Sequence, residues 1–308
     1  HVLGFDEILL ANEDGRNQIA LKWLNWSAEE TGRVEVEEDR AFVICKGRNF
    51  AYRFDKRKGV FVSLNHAGRE YLDCPMQFNI WRAPTDNDRY IQEEWKRAHY
   101  HESVVRTYGI VIHQTKDGVA LDSVMSVSAA SVQHILDMEV GWNIDRYGSI
   151  NAVIKVWKNK EFPELPRFGV RLFLKKELEN ITYFGMGPME SYCDKRRAAS
   201  HGLYRTKIEA LHEDYIRPQE NGSHYDCDYV ELTSGQYGLA AAAGNPFSFN
   251  ASVYTQEELE RAAHNYQLQK SESTVLCLDY AMNGIGSNSC GPKVQEPYRF
   301  AEEEFTFT

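Results

Sequence analysis

The sequence has no excess of positive charge and no long apolar run. Its 308 residues include 35 Lys and Arg against 45 Asp and Glu, which gives a formal net charge of −10. Nucleic acid is not expected as a partner, because phosphates attract basic surfaces. The most apolar short stretch, residues 238–244, reads Gly-Leu-Ala-Ala-Ala-Ala-Gly. A membrane-spanning helix needs roughly 18 or more apolar residues in a row, so no membrane partner is expected either.

Motifs for metal sites, disulfide frameworks and repeats are also missing. The six cysteines are scattered singly without a CxxC pair. We interpret them as buried reduced thiols, since free cysteine packs as a small apolar residue. The ten histidines show neither HxH nor HExxH spacing, so no metal site or cofactor is predicted in this chain. No period of roughly 20 to 50 residues indicates a solenoid or a propeller.

Short runs of alternating apolar and aromatic residues dominate the chain instead. Aromatic residues make up 12% of the sequence, and they recur with the two-residue period of β-strands. Such runs occupy residues 42–45, 50–54, 60–64, 109–113, 119–127, 134–143 and 149–157. Glycine stands in the separators between several of them, as tight hairpins favour. The pattern predicts an all-β fold, a large antiparallel β-sandwich.

Helical signals are few and short. Residues 91–98 have the composition of a two-turn helix. A second helix is predicted over residues 255–262, where Thr255 and Glu258 have the spacing of a capping box.

Polar loops carry the residues with chemical potential. Residues 81–88 contain Arg82, Asp86, Asn87 and Asp88 around Pro84, which excludes a central strand. Such carboxylates and amides accept sugar hydroxyls. They also form self-bonded turns, with the arginine tying the loop down, and both interpretations stay open.

Three more segments are of this kind. Glu190 follows a bend marked by Gly185, Gly187 and Pro188, while residues 217–222 place Glu220 and Asn221 at a turn. Residues 284–292 form a glycine-rich loop that contains Asn288, Ser289 and Cys290.

Taken in order, these segments resemble the C-terminal domain of family 2 beta-galactosidases. The motifs are Asn49 to Lys56, Phe78 to Asp88, Phe184 to Tyr192, Pro218 to Gly222 and Gly284 to Gly286. The resemblance runs from about Val34 to the end and implies a supersandwich of the galactose mutarotase-like type. Residues 1–33 look like the end strand of a preceding immunoglobulin-like domain plus a linker, and residues 34–308 like the C-terminal sandwich domain.

In that family both catalytic glutamates lie on a barrel that this chain does not contain. The resemblance therefore implies a non-catalytic portion that packs on the barrel and completes the galactoside pocket of an enzyme that hydrolyses terminal β-galactosides with retention. The implied pocket-wall residues are Arg82, Asp86, Asn87, Asp88, Glu190, Glu220, Asn221, Asn288, Ser289 and Cys290. Cys290 stands where the best known member has a stacking tryptophan, and His224 stands where arginine is frequent.

The implied partners are the β-galactoside substrate, the catalytic barrel of the same enzyme and further copies in a homo-oligomer. Mg²⁺ or Na⁺ is associated with other domains of the parent enzyme. Two alternatives remain: a carbohydrate-binding module that holds galactose through Glu220, Asn221 and aromatic rings, and a mutarotase-like enzyme. The latter needs a histidine and a glutamate facing one sugar, and His224 with Glu220 is the candidate pair.

Overall fold

The structure, a computed structural model, describes residues 32–286, 289 and 291–308. Within them antiparallel strands dominate and helices are few, which confirms the predicted all-β sandwich. The strand predicted at His1 to Leu10 lies outside the described residues, so the domain boundary between residues 33 and 34 stays a prediction.

The strands of the described part form three antiparallel sheets. The first contains β1 Glu35–Glu38, β2 Phe42–Lys46, β3 Phe50–Asp55, β4 Val60–His66 and β5 Arg69–Glu70, paired in that order. The second contains β7 Val104–Gln114, β8 Gly118–Ser128, β9 Leu136–Asp145, β10 Ile150–Lys158 and β17 Glu304–Phe307, in the order β17-β10-β9-β8-β7. The third contains β6 Leu72–Asn79, β11 Arg167–Lys175, β12 Asn180–Gly187, β13 Ser200–Lys207, β14 Ser223–Thr233, β15 Gly238–Ser252 and β16 Ser273–Met282, in the order β13-β12-β14-β15-β16-β11-β6.

Both predicted helices are confirmed, as α1 Ile91–Arg97 and α2 Gln256–Arg261. The hydroxyl of Thr255 accepts a hydrogen bond from the Glu258 N–H at 3.1 Å, the cap that the spacing predicted. Short 3-10 turns occupy Asp86–Asp88, Tyr100–Glu102, Ile208–Leu211, Asn265–Gln267 and Glu296–Tyr298. Neither helix has the length and apolar character needed to cross a membrane, and the described residues contain no other candidate.

Trp142 on β9 joins the three sheets. Its ring centroid lies 5.4 Å from that of Phe61 on β4 and 6.4 Å from that of Phe78 on β6. The indole N–H donates to the Gly59 carbonyl at 3.1 Å, so its one polar atom is satisfied inside the core. Alternate residues of β9 are buried, which is why the two-residue period of the sequence identified this strand.

The last strand holds the second sheet against the third. β17 pairs with the edge strand β10, and Phe305 packs on Phe168 of β11 and Tyr280 of β16, at centroid distances of 5.1 and 4.6 Å. The connection from β16 to β17 is therefore anchored in the core at both ends.

The interpretation of the cysteines as buried thiols is only partly right. Cys45, Cys227 and Cys277 are free and buried, Cys193 is half-buried, and Cys74 is exposed. For Cys74 the prediction is wrong, because its position on the edge strand β6 turns the side chain away from the core.

Truncating the centre of the third sheet tests this core. Leu276 on β16 is fully buried, whereas Leu203 on β13 is 57% exposed. Leu276→Ala should lower the free energy of unfolding by about 3 kcal/mol, through lost burial and a residual cavity. The matched change Leu203→Ala should cost about 0.5 kcal/mol or less. Urea denaturation measures both, and equal costs would contradict the packing described here.

Candidate functional site

Four long connections between strands meet at one place, which we call the loop cluster. They are residues 80–103 between β6 and β7, 188–199 between β12 and β13, 208–222 between β13 and β14, and 283–303 between β16 and β17. Asp86 N–H donates to Gln219 Oε1 at 2.9 Å, and Asn87 Nδ2 donates to the Gly286 carbonyl at 3.1 Å. These contacts join the first connection to the third and the fourth, so the predicted motifs do come together.

Arg82 is the tie of its loop. Its guanidinium donates to both carboxylate oxygens of Asp88, at 2.7 and 3.2 Å. It also reaches the carbonyls of Asn283 and Gly284, at 2.5 and 3.1 Å. Arg82 is 0% and Asp88 1% exposed, so neither side chain is open to a ligand. The contacts support the tie-down interpretation that the sequence left open.

A second buried ion cluster lies beneath the loops. Arg167 at the start of β11 donates to both oxygens of Asp279 on β16, at 2.5 and 3.1 Å. Its third bond goes to Glu220 at 3.3 Å, and Asn250 Nδ2 donates to the other Glu220 oxygen at the same distance. Burial raises the pKa values of Glu220 and Asp279, and the Arg167 charge opposes this rise.

The sequence analysis missed Arg167 and Asp279. Each stands within an otherwise apolar strand segment, and a lone charge in such a run indicates a buried partner. Which charges pair depends on the strand register and on the bulge between Phe168 and Gly169. Gly169 makes room there, because a Cβ at this position would lie 2.1 Å from the Leu278 carbonyl and 2.5 Å from Asp279 Oδ1.

Glu190 is likewise saturated by internal donors. Lys195 and the Tyr215 hydroxyl both donate to its Oε1. The Gly222 N–H donates to Oε2 at 2.8 Å, and the Tyr192 hydroxyl lies 3.4 Å from the same oxygen. This carboxylate thereby joins the second connection of the loop cluster to the third.

His224 is a buried aromatic residue in this structure. Its ring lies 4.5 Å from that of Tyr183 and 5.1 Å from that of Phe249, between centroids. Nδ1 is 3.0 Å from the Met186 carbonyl, and burial lowers the pKa of the ring to about 4. His224 is therefore neutral at pH 7, with Nδ1–H as the donor to that carbonyl.

Asn221 shapes its own turn. Its Nδ2 donates to the Gln219 carbonyl at 2.8 Å, and its Oδ1 accepts from the Glu213 N–H at 3.0 Å. Gly222 follows with φ of +70°, and a Cβ there would lie 2.4 Å from the Leu211 carbonyl, so only glycine fits.

A pocket of about 390 Å³ opens at the surface of the loop cluster. It is lined by Pro84, Thr85, Asp86, Arg89, Gln92, Lys96, Arg217, Pro218, Glu260 and Ser289. Of the predicted wall residues, Asp86 and Ser289 are exposed and line it, and Asn87 is half-buried beside it. Asn288 and Cys290 lie outside the described residues. The other five, Arg82, Asp88, Glu190, Glu220 and Asn221, are buried.

The described part of the loop cluster holds no open pair of carboxylates. A retaining glycosidase needs an acid and a nucleophile about 5–5.5 Å apart across a sugar, whereas Glu190 and Glu220 are both occupied by internal donors. No group of three or more His, Cys, Asp or Glu residues in the described ranges is arranged to hold a metal ion.

The fold and the loop cluster define an all-β sandwich protein whose long connections converge around a polar pocket. The chain belongs to the beta-galactosidase small chain family, whose model matches residues 46–308. It is 42% identical over 305 residues to a beta-galactosidase of Actinobacillus pleuropneumoniae, and 32% identical over 306 residues to one of Staphylococcus xylosus. The resemblance drawn from the motifs is thereby confirmed for the family.

These relatives are much longer than the chain. The alignments cover 99% of this chain but only 29% and 30% of the two relatives. The chain thus corresponds to a minor part of a beta-galactosidase.

Removing Arg167 tests the buried ion cluster. Arg167→Met should cost about 3–5 kcal/mol at pH 7, because Asp279 and Glu220 lose their counter-charge in the interior. Both carboxyl groups have folded-state pKa values raised by burial, so the folded variant binds more protons than the unfolded chain. Its stability should therefore be greater at pH 5 than at pH 7.

Denaturant titrations at the two pH values measure this difference. Arg205→Met, at an exposed position on β13, is the control and should change stability little at either pH. A cost for Arg167→Met that does not depend on pH would contradict the assignment of two ionisable buried partners.

Proposed function

We propose that this chain is the non-catalytic C-terminal portion of a family 2 beta-galactosidase. In this proposal the missing part of the enzyme carries the barrel with both catalytic glutamates and hydrolyses terminal β-galactosides with retention. Residues 1–33 end the preceding immunoglobulin-like domain, and residues 34–308 pack on the barrel. Membership of the small chain family and the 29% coverage of a longer beta-galactosidase carry the proposal.

The state of the glutamates supports a non-catalytic role. Glu190 accepts from Lys195, Tyr215 and the Gly222 N–H, and Glu220 accepts from Arg167 and Asn250. A carboxylate with these commitments cannot leave them for a substrate without stranding a buried cation or donor.

The loop cluster has two kinds of predicted wall residue under this proposal. Asp86, Asn87 and Ser289 reach the surface and are the side chains that would contact substrate, together with Asn288 and Cys290 of the same loop. Arg82, Asp88, Glu190, Glu220 and Asn221 act as positioning residues, since they hold the connections that carry the first group.

The mutarotase-like alternative finds less support. General acid–base catalysis on a sugar needs groups that reach the ligand and titrate near the working pH. His224 is 1% exposed with a pKa of about 4, and Glu220 is 4% exposed and paired with Arg167.

Activity assays test the proposal directly. The chain alone should not hydrolyse a chromogenic β-galactoside, because it lacks an available carboxylate pair. Mixing it with the barrel-containing part of the same enzyme should restore hydrolysis. Turnover by the purified chain alone would place catalytic groups here and overturn the proposal.

Asp86 offers a test of the pocket wall. In the assembled enzyme Asp86→Asn should raise KM for the galactoside about tenfold, the loss expected for one charged hydrogen bond to a hydroxyl. Its thermal midpoint should stay unchanged because the side chain is exposed. Asp122→Asn, exposed on β8, is the matched control. Equal KM values in the two variants would remove Asp86 from the wall.

A further inference from the structure

Large apolar side chains are exposed around the loop cluster. Ile216 is 93%, Tyr266 83% and Tyr90 62% exposed. Asn265 Nδ2 donates to the Tyr215 carbonyl at 2.8 Å, which brings the segment of Tyr266 beside that of Ile216. Clustered exposure of this kind is unfavourable in water and is typical of a surface that another protein covers.

The pocket between these side chains is cationic. Arg89 follows the 3-10 turn and precedes Tyr90, Arg217 follows Ile216, and both line the pocket. Within the described ranges neither guanidinium has a carboxylate within 4.0 Å, although the chain as a whole carries a net charge of −10. An uncompensated basic spot on an acidic chain indicates an acidic partner.

The other charges of the pocket are already engaged. Lys96 lies 3.2 Å from Glu260, which also accepts from the Trp81 indole N–H at 3.0 Å. Asp86 accepts from Gln219 Nε2 at 3.3 Å. The two arginines are therefore the groups that remain for an incoming carboxylate.

Thr85 adds a donor in the same pocket. The residue is only 5% exposed, and its hydroxyl makes no hydrogen bond within the described part of the chain. The nearby Asp88 N–H bonds to the Thr85 carbonyl instead, at 2.9 Å. A buried hydroxyl of this kind is costly unless it finds a partner, and an incoming carboxylate oxygen would satisfy it.

We propose that Ile216, Tyr266, Tyr90, Arg89 and Arg217 form the docking surface for the preceding part of the parent enzyme, and that an acidic segment flanked by apolar side chains occupies it. A carboxylate of that segment enters the pocket between the arginines while Ile216 and Tyr266 become buried. This inference rests on the proposed function, and the parent supplies the partner: about 70% of the length of the two relatives lies outside the region that this chain matches. Buried aromatic and arginine anchors carry most of the energy in such interfaces.

A second apolar face provides the comparison. Val104, Val111 and Val124 on β7 and β8 are 58%, 55% and 55% exposed. Val111 is paired with Asp122 across the two strands, and Arg106 lies between the valines on β7. This face alternates apolar with charged side chains and has no pocket, so it resembles a solvated sheet surface.

Association of the chain with the barrel-containing part, measured by calorimetry at two salt concentrations, tests the docking surface. Ile216→Ser should weaken binding at least tenfold. Arg89→Gln combined with Arg217→Gln should do the same and flatten the salt dependence of Kd, because the pairing it removes is electrostatic. Val111→Ser and Arg106→Gln are the matched controls and should stay within twofold of the unmodified chain. All the changes are at exposed positions, so thermal midpoints should not move.

The outcomes separate this inference from the proposed function. If the unmodified parts neither associate nor hydrolyse a β-galactoside together, the proposed function fails. If they associate and are active while the loop variants bind like the unmodified chain, the docking surface is wrong. Weaker binding by Val111→Ser alone would move the interface to β7 and β8. An arginine variant with unchanged assembly and a raised KM would make the pocket a substrate site and would also overturn the inference.

Discussion

The arrangement of the loops depends on the contact of Arg167 with Asp279 and Glu220. One guanidinium joins β11, β16 and the connection that precedes β14, and all three residues are at most 4% exposed. Two carboxylates share one cation, and Asn250 supplies the further donor to Glu220. Such a cluster has a high desolvation cost and adds little net stability compared with an apolar core. Its benefit is geometric, because it fixes one position of the loop relative to the sandwich.

The same principle extends through the loop cluster. Arg82 fastens the first connection to the fourth through Asp88, Asn283 and Gly284. Glu190 fastens the second connection to the third through the Gly222 N–H. The polar motif residues are thus mostly turned inward, where each satisfies backbone or charged groups of another connection. A loop built in this way is preorganised, and it presents few side chains outward.

This inward arrangement explains what the sequence could and could not predict. The strands and both helices follow from local periodicity and from the Thr255 cap, which depend on neighbours along the chain. The role of Arg82 stayed open, because an arginine among carboxylates suits a tie and a sugar site equally. Arg167 and Asp279 were missed since they are 112 residues apart and meet only through the register of β11 and β16. Cys74 failed because the cysteine pattern does not reveal which face of an edge strand a residue occupies.

A rigid base under an exposed apolar surface has a consequence for assembly. Association loses free energy when loops must be ordered on binding. Here the connections that carry Ile216 and Tyr90 are already held by buried ion clusters, through Glu220 and Arg82 respectively. Their apolar side chains are therefore exposed on a surface that needs little reorganisation. The ion clusters inside the chain add little to its own stability, and we infer that their larger effect is to keep this surface ready for the part of the enzyme that performs the chemistry.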